Sequence, residues 1–504
     1  MTMSQFLVKM RKIFNLLLYP AMIQRLTKLA IILFWLVMLG HLIERAYVRS
    51  STVIALDAIT EEGVRTGDEW SGIYQQGRKI GYAHTSVMRE ADTYHILEES
   101  ELDLLALGSV QHVKTVTNSY TAKNFLLKYF DFTMQSGMSS MQIKGAVVGN
   151  QLMLDILTAG QTRKERIPLK EPPYLSPNLK PALILLGLEP GKKYRFPLFN
   201  PATMNTEDAS ISVEARERIK VGDREQTVYK LKESYQGLEA FSWITEAGDT
   251  IKEESPLGYV LLKESRAEAV KLDKKGPLVD IISLVMIPSS NVENPAETRY
   301  LKAKLSGAPF QGFDLDGDRQ TFKGDTVEVR VHDDPASYIL PYRGKDLNGL
   351  LQPTALIQSD DRRIKDQAEK ILSGVNDARE AAKKLNDWVF SAIQKKPVVS
   401  IPSALEVLSQ REGDCNEHTT LYTALARSAG IPTRMAAGIV YMRDGFYYHA
   451  WPEVWLGQWV AVDPTFNQFP ADATHIRFIT GNLDRQSDIL RLVGKLKVDV
   501  LEYK

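Results

Sequence analysis

The feature that most limits what this chain can fold into is a period-two alternation of apolar and polar residues, repeated in short runs across residues 68–269. Residues 70–74 alternate, a Gln-Gln-Gly-Arg turn follows, and residues 80–87 alternate again. Residues 241–245, a turn at Gly248 and Asp249, and residues 259–262 repeat the pattern. Alternation places successive side chains on opposite faces of a strand, so these runs predict antiparallel strands joined by tight turns. The stretch EPPYLSP, with Pro172, Pro173 and Pro177, reads as a rigid loop. The apolar ALILLGL after it reads as a short buried helix ended by Pro190 and Gly191. Residues 287–299 are polar and proline-containing and predict a linker, and residues 300–332 read as strands again. The run DLDGD at residues 314–318 suggests calcium at first sight. An EF-hand loop needs Gly at its sixth position and Glu at its twelfth, however, and here Arg319 and Asp325 stand there, so a polar turn is expected.

A chain of 504 residues calls for several domains. The expected boundaries are 1–50, 51–286 (β-rich), 287–350 (linker and a smaller β segment) and 351–504. With 62 basic and 62 acidic residues there is no electrostatic footprint for nucleic acid, which is excluded as a partner. A single cysteine excludes a disulfide framework and any Cys-rich zinc module.

Residues 29–43, LAIILFWLVMLGHLI, contain no Asp, Glu, Lys or Arg, and Lys9, Arg11, Lys12, Arg25 and Lys28 precede them without an acid. A cleaved signal peptide and a buried helix are the competing readings. The absence of a small-x-small site favours an uncleaved anchor, with the amino end kept inside by its positive charge. The expected fold class is therefore α+β, with an N-terminal transmembrane helix, β-rich antiparallel middle domains and a C-terminal catalytic domain. The expected location is the inner membrane, single-pass, with the later domains periplasmic.

Chemistry concentrates in the last third. Residues 360–389 repeat apolar positions at helical spacing, and residues 403–408 form another short helix. In REGDCNEHTTLYTALARSAGIPTR, Asp414 is an N-cap with Glu417 completing a capping box, Leu421, Tyr422, Leu425 and Ala429 form the buried stripe, and Gly430 and Pro432 end the helix. Cys415 thus falls in a first helical turn, where the macrodipole favours thiolate while Asp414 and Glu417 oppose it. Residues 434–456 read as a hairpin turning at Asp444 and Gly445, and a third strand follows. His449 lies on the second of these strands and Asp463 at the end of the third. The chemistry these types allow is attack by Cys415 on a carbonyl, proton transfer through His449 and orientation of the imidazole by Asp463. Competing readings are a small buried cysteine with surface or capping His and Asp, and a metal set of Cys415, His418, His449 and His475 that lacks a zinc signature. Register discriminates. Only a three-residue loop at Leu456, Gly457 and Gln458, or a bulge near Pro452, puts His449 and Asp463 on one face. Four of the seven tryptophans, Trp388, Trp451, Trp455 and Trp459, fall in this region; Trp388 is expected in the core.

The strings GDCNEHTTLYTALARSAGIPTR, YYHAWPEVWLGQWVAVDPT and DATHIRF resemble the bacterial transglutaminase-like superfamily over residues 360–478. The resemblance implies a papain-like core with Cys415 as nucleophile, His449 as base and Asp463 as orienting acid. It further implies a thiol enzyme, a cysteine protease or acyltransferase, that hydrolyses or transfers peptide or amide acyl groups through a thioester without a cofactor. The expected partners are a protein or peptide substrate, the membrane, and an envelope protein. The alternative is a catalytically retired papain-like module that serves in binding or envelope assembly.

Overall fold

The structure, a computed structural model, describes residues 65–106, 108–221, 224–272, 278–332 and 336–504. Fourteen antiparallel strands make one sheet. They form two meanders, the first running from Gly67–Gln75 to Gln161–Pro168 and the second from Lys193–Asn200 to Tyr259–Glu264. The meanders join where Gly67–Gln75 pairs with Tyr259–Glu264, Trp70 opposite Glu264 and Gln75 opposite Tyr259. The Gln-Gln-Gly-Arg turn is a two-residue loop in which Gln76 and Gly77 both take positive φ, 48° and 81°, the twist that suits a tight hairpin. The sheet edges are Gln161–Pro168 and Lys193–Asn200.

The expected helix begins earlier than its apolar run. It spans Ser176–Leu186, because Pro177 has no N–H to lose in a first turn and carries a suitable φ. Its Leu179, Ala182 and Leu183 are buried, and Asn178 accepts a hydrogen bond from the Ser119 hydroxyl at 2.7 Å.

The last third is helix followed by sheet. Helices Arg362–Ile371, Ala378–Ala392, Ala404–Gln410 and Cys415–Ser428 each start at an N-cap, Asp361, Asp377, Ser403 and Asp414, whose side chain accepts a first-turn N–H. Leu385, Leu421, Tyr422 and Leu425 are sealed in one core between these helices and Val454 and Val460 of the sheet. In that sheet Gly445–Trp455 lies between Ile287–Pro288 and Thr433–Met442, Ile476–Thr480 follows on the far side, and Trp459–Ala461 pairs with Gly445–Trp455. A four-stranded sheet packs beside it in the order Gln320–Lys323, Thr326–Arg330, Tyr300–Ser306, Lys497–Tyr503. Its Leu301, Val327 and Val498 share a core with Ile439, Phe446 and Phe478. The 314–318 run is a turn held by protein groups: Asp314 accepts from the Thr480 N–H and hydroxyl, both at 2.8 Å, and Asp318 accepts from Arg477 at 2.7 Å.

The large sheet is tied to the helices by polar contacts. The Thr158 hydroxyl donates to Ser403 Oγ at 2.9 Å, Ser140 N–H donates to Glu406 at 3.1 Å, and Arg163 grips Asp360 with two bonds of 3.0 and 2.8 Å.

One part of the expected architecture is corrected. Among the described residues no helix is long and apolar enough to cross a membrane. The apolar run at residues 29–43 lies outside the described residues. The fold class is therefore a mixed β-rich and α-helical fold with a C-terminal region of helices and strands. The transmembrane helix, the membrane as partner, and the single-pass inner-membrane location with periplasmic domains are withdrawn.

Candidate functional site

Asp414 caps the Cys415 helix as its sequence requires. Its carboxylate accepts the Asn416 N–H at 2.9 Å, and Glu417 reaches back to the Asp414 N–H at 2.9 Å. The same capping box surrounds the thiol with negative charge. Cys415 keeps partial exposure, but burial of the sulfur, then the Asp414 and Glu417 charges, push the thiol well above its ordinary value, against a backbone hydrogen bond from Ala450.

His449 is brought toward Asp463 by strand register. Trp455 pairs with Trp459 around the three-residue loop 456–458, and Val462 N–H donates to the Pro452 carbonyl at 3.0 Å. The register that puts both side chains on one face is the one observed. His449 Nε2 stands 2.7 Å from Asp463 Oδ2, and the ring stacks on Phe466 with centroids 5.0 Å apart. Asp463 Oδ1 accepts the N–H groups of Thr465 and Phe466 at 2.7 and 3.1 Å.

The structure adds a residue to this pair that the sequence reading considered only as a metal ligand. His475 Nε2 donates to the same Oδ2 of Asp463 at 2.9 Å, and its Nδ1 lies 3.1 Å from Asp472 Oδ1. Asp472 is fixed in turn by Thr474 N–H at 2.7 Å and by Gln468 at 2.7 Å. Burial opposes a charge on His475, yet the Asp472 charge and the bonds to Asp463 and Asp472 push it up to about 9, so it is an imidazolium at neutral pH. Burial would likewise favour a neutral Asp463, and the charges and hydrogen bonds of His449 and His475 instead hold its carboxyl far below the usual range. The available signal was the Asp-x-x-His spacing of residues 472–475.

Among the described residues the cluster of potential ligand atoms is His449, Asp463 and His475, all within 4.8 Å of one another; Cys415 and His418 stand outside it. His418 instead bonds through Nδ1 to the Asp414 carbonyl at 2.6 Å. Both clustered imidazoles spend the nitrogen nearest the others on Asp463, and His475 carries a proton on each side. The arrangement is a carboxylate clamped by two rings, which fits a metal poorly.

A cavity of about 520 Å³ lies against the helix that carries Cys415. Asn416, Thr419 and Thr420 of the Cys415 helix and Ala450, next to His449, form one part of its wall. Residues 165–168 of the sheet edge form another. Its volume falls in the range of ligand pockets, ~300–1,000 Å³.

The transglutaminase-like superfamily model matches residues 365–464, about a fifth of the chain. No curated protein matches. Among solved structures, a protein from Cytophaga hutchinsonii described as a candidate cysteine protease is 13% identical, with 41% of this chain and 87% of that one covered and a TM-score of 0.28. A beta-barrel-like protein of a domain of unknown function from Brucella abortus is 8% identical over 39% of this chain and 94% of that one, with a TM-score of 0.30. Likenesses this distant carry no argument about activity.

The expected enzyme is corrected on these grounds. The family match is partial, the buried cluster contains no cysteine, and burial and the acidic cap oppose thiolate at the only cysteine of the chain. A Cys-His-Asp thiol protease or acyltransferase working through a Cys415 thioester is not what the geometry supports.

Proposed function

We propose that residues 365–464 form the heart of a catalytically retired, transglutaminase-like module whose task is binding, with the cavity beside Cys415 as its ligand site. The observation that carries this reading is the cluster His449, Asp463 and His475, assembled without the cysteine. An activated thiol needs a partner that takes its proton. Here Asp463 is shared between His449 and a second, charged imidazole, and the acidic cap of the helix opposes thiolate. In this reading Cys415, His449 and Asp463 keep the positions of a catalytic set as structural members behind the cavity wall.

Alkylation by iodoacetamide across pH tests the reading. Cys415 should react more slowly at pH 7 than a free model thiol, and its rate should rise only at a pH above the ordinary cysteine value of ~8.5. Fast, stoichiometric labelling at neutral pH, or turnover of a peptide or amide in the same preparation, would overturn it.

A further inference from the structure

We infer that the cavity takes an extended peptide, which docks as an added strand on the free edge Gln161–Pro168 and rests on the proposed binding role. The backbone carries the argument. Ala159 and Gly160 have φ of 50° and 73°, so Thr158 and Gln161 close a two-residue hairpin as a hydrogen-bonded pair. Hydrogen-bonded and non-hydrogen-bonded pairs alternate from there. Residues 161, 163, 165 and 167 therefore spend their N–H and C=O groups on the neighbouring strand Gln151–Thr158. Thr162, Lys164 and Arg166 turn theirs outward. All three residues are exposed, and no other strand pairs with this edge among the described residues.

The opposite edge of the sheet is treated differently. There Tyr174 donates its N–H to the Pro197 carbonyl at 2.7 Å and accepts from Phe199 at 2.9 Å, which covers part of that edge. The edge at 161–168 is left open, and it runs into the cavity at Glu165, Arg166, Ile167 and Pro168. Basic side chains and a proline also guard edges against aggregation. Guarding alone does not call for a cavity at the end of the strand, nor for Thr206, a lining residue whose buried hydroxyl has no hydrogen-bond partner.

The occupant is defined by what this surface lacks. Outward N–H and C=O groups at alternate residues call for another strand's backbone. Leu154, Ile167 and Met435 offer an apolar floor for every second side chain, and the exposed Arg166 favours a carboxylate between them. A blocked hexapeptide of alternating valine and threonine with one central aspartate fits this description.

The test titrates that hexapeptide into the full chain by calorimetry, with mass spectrometry of the peptide afterwards. Binding should weaken about tenfold or more for each peptide amide N-methylated on the bonding side, since a lost hydrogen bond of ~1.4 kcal/mol is tenfold. Lys164→Pro should weaken it similarly without lowering the melting temperature by more than a few degrees, because the N–H it removes faces outward. No binding, or binding indifferent to N-methylation, overturns strand docking and leaves the retired reading standing. A bound peptide recovered cleaved overturns the retired reading and leaves strand docking standing.

Discussion

His475 donates to the same oxygen of Asp463 that His449 reaches, at 2.9 Å against 2.7 Å, so one carboxylate answers two imidazoles. A carboxylate that orients a single base lends that base its whole charge. Here His475 is already charged, held so first by Asp472 and then by its bond to Asp463, and it draws on the same carboxylate oxygen as His449. The cluster thereby reads as a fixed part of the core.

Removing one member should show this. His475→Gln leaves Asp463 buried with less compensation and should cost about 3–5 kcal/mol in chemical denaturation, as for a broken buried ion pair. A variant as stable as the parent would mean the imidazolium is not what holds the cluster.

The same ring sets a pH dependence. His475 binds its proton up to about 9 when folded, against an ordinary 6.5 when unfolded. Its contribution is complete below about 6.5 and is lost as pH rises through about 9, since the unfolded chain releases the proton first. Unfolding free energy measured between pH 6 and 10 should fall over that window, by an amount on the order of 3 kcal/mol. The His475→Gln protein should be flatter there.

Cys415 should be dispensable to the fold. Cys415→Ala spares the Asp414 cap and, since the sulfur is largely buried, should cost no more than about 1 kcal/mol, with hexapeptide affinity preserved. A drop of several kcal/mol would mark the sulfur as core packing.

Gly438 should not tolerate a methyl group. It faces His449 across the hairpin, and a Cβ there would meet the Ile476 carbonyl at 2.1 Å and the Trp451 ring at 2.8 Å. The backbone cannot swing aside as a side chain could. Gly438→Ala should cost about 1–3 kcal/mol or more in denaturant unfolding, and an unchanged midpoint would contradict the close packing of these strands.

Much of this was legible in the sequence where the cause is local. Alternation and turn residues located strands at residues 70–74, 80–87, 241–245 and 259–262, helical spacing located the helices within residues 360–389, and the capping box located the helix at Asp414; the sequence left a three-residue loop at 456–458 and a bulge near Pro452 open, and the structure has the loop. What escaped depends on residues brought together from afar. His475 joins Asp463 from a segment whose Asp-x-x-His spacing marks its pairing with Asp472 but not its contact with Asp463. The charge opposing Cys415 was visible in Asp414 and Glu417, but its outcome was not, because burial of the sulfur outweighs the helix dipole. The apolar run at 29–43 is legible as hydropathy alone, and the described helices supply no membrane span to go with it.

The pairing of Tyr300–Ser306 with Lys497–Tyr503 sets an order of events during synthesis. At ~5–20 residues per second, the later strand leaves the ribosome about 10–40 s after the earlier one. For that interval the earlier strand has a neighbour on one side only, in Thr326–Arg330. The large sheet, whose strands pair mostly with their chain neighbours, can complete itself meanwhile. The sheet packed beside the module carrying Cys415 therefore closes after the large sheet, and a chain stalled before Lys497–Tyr503 should present an unpaired strand to the quality-control machinery.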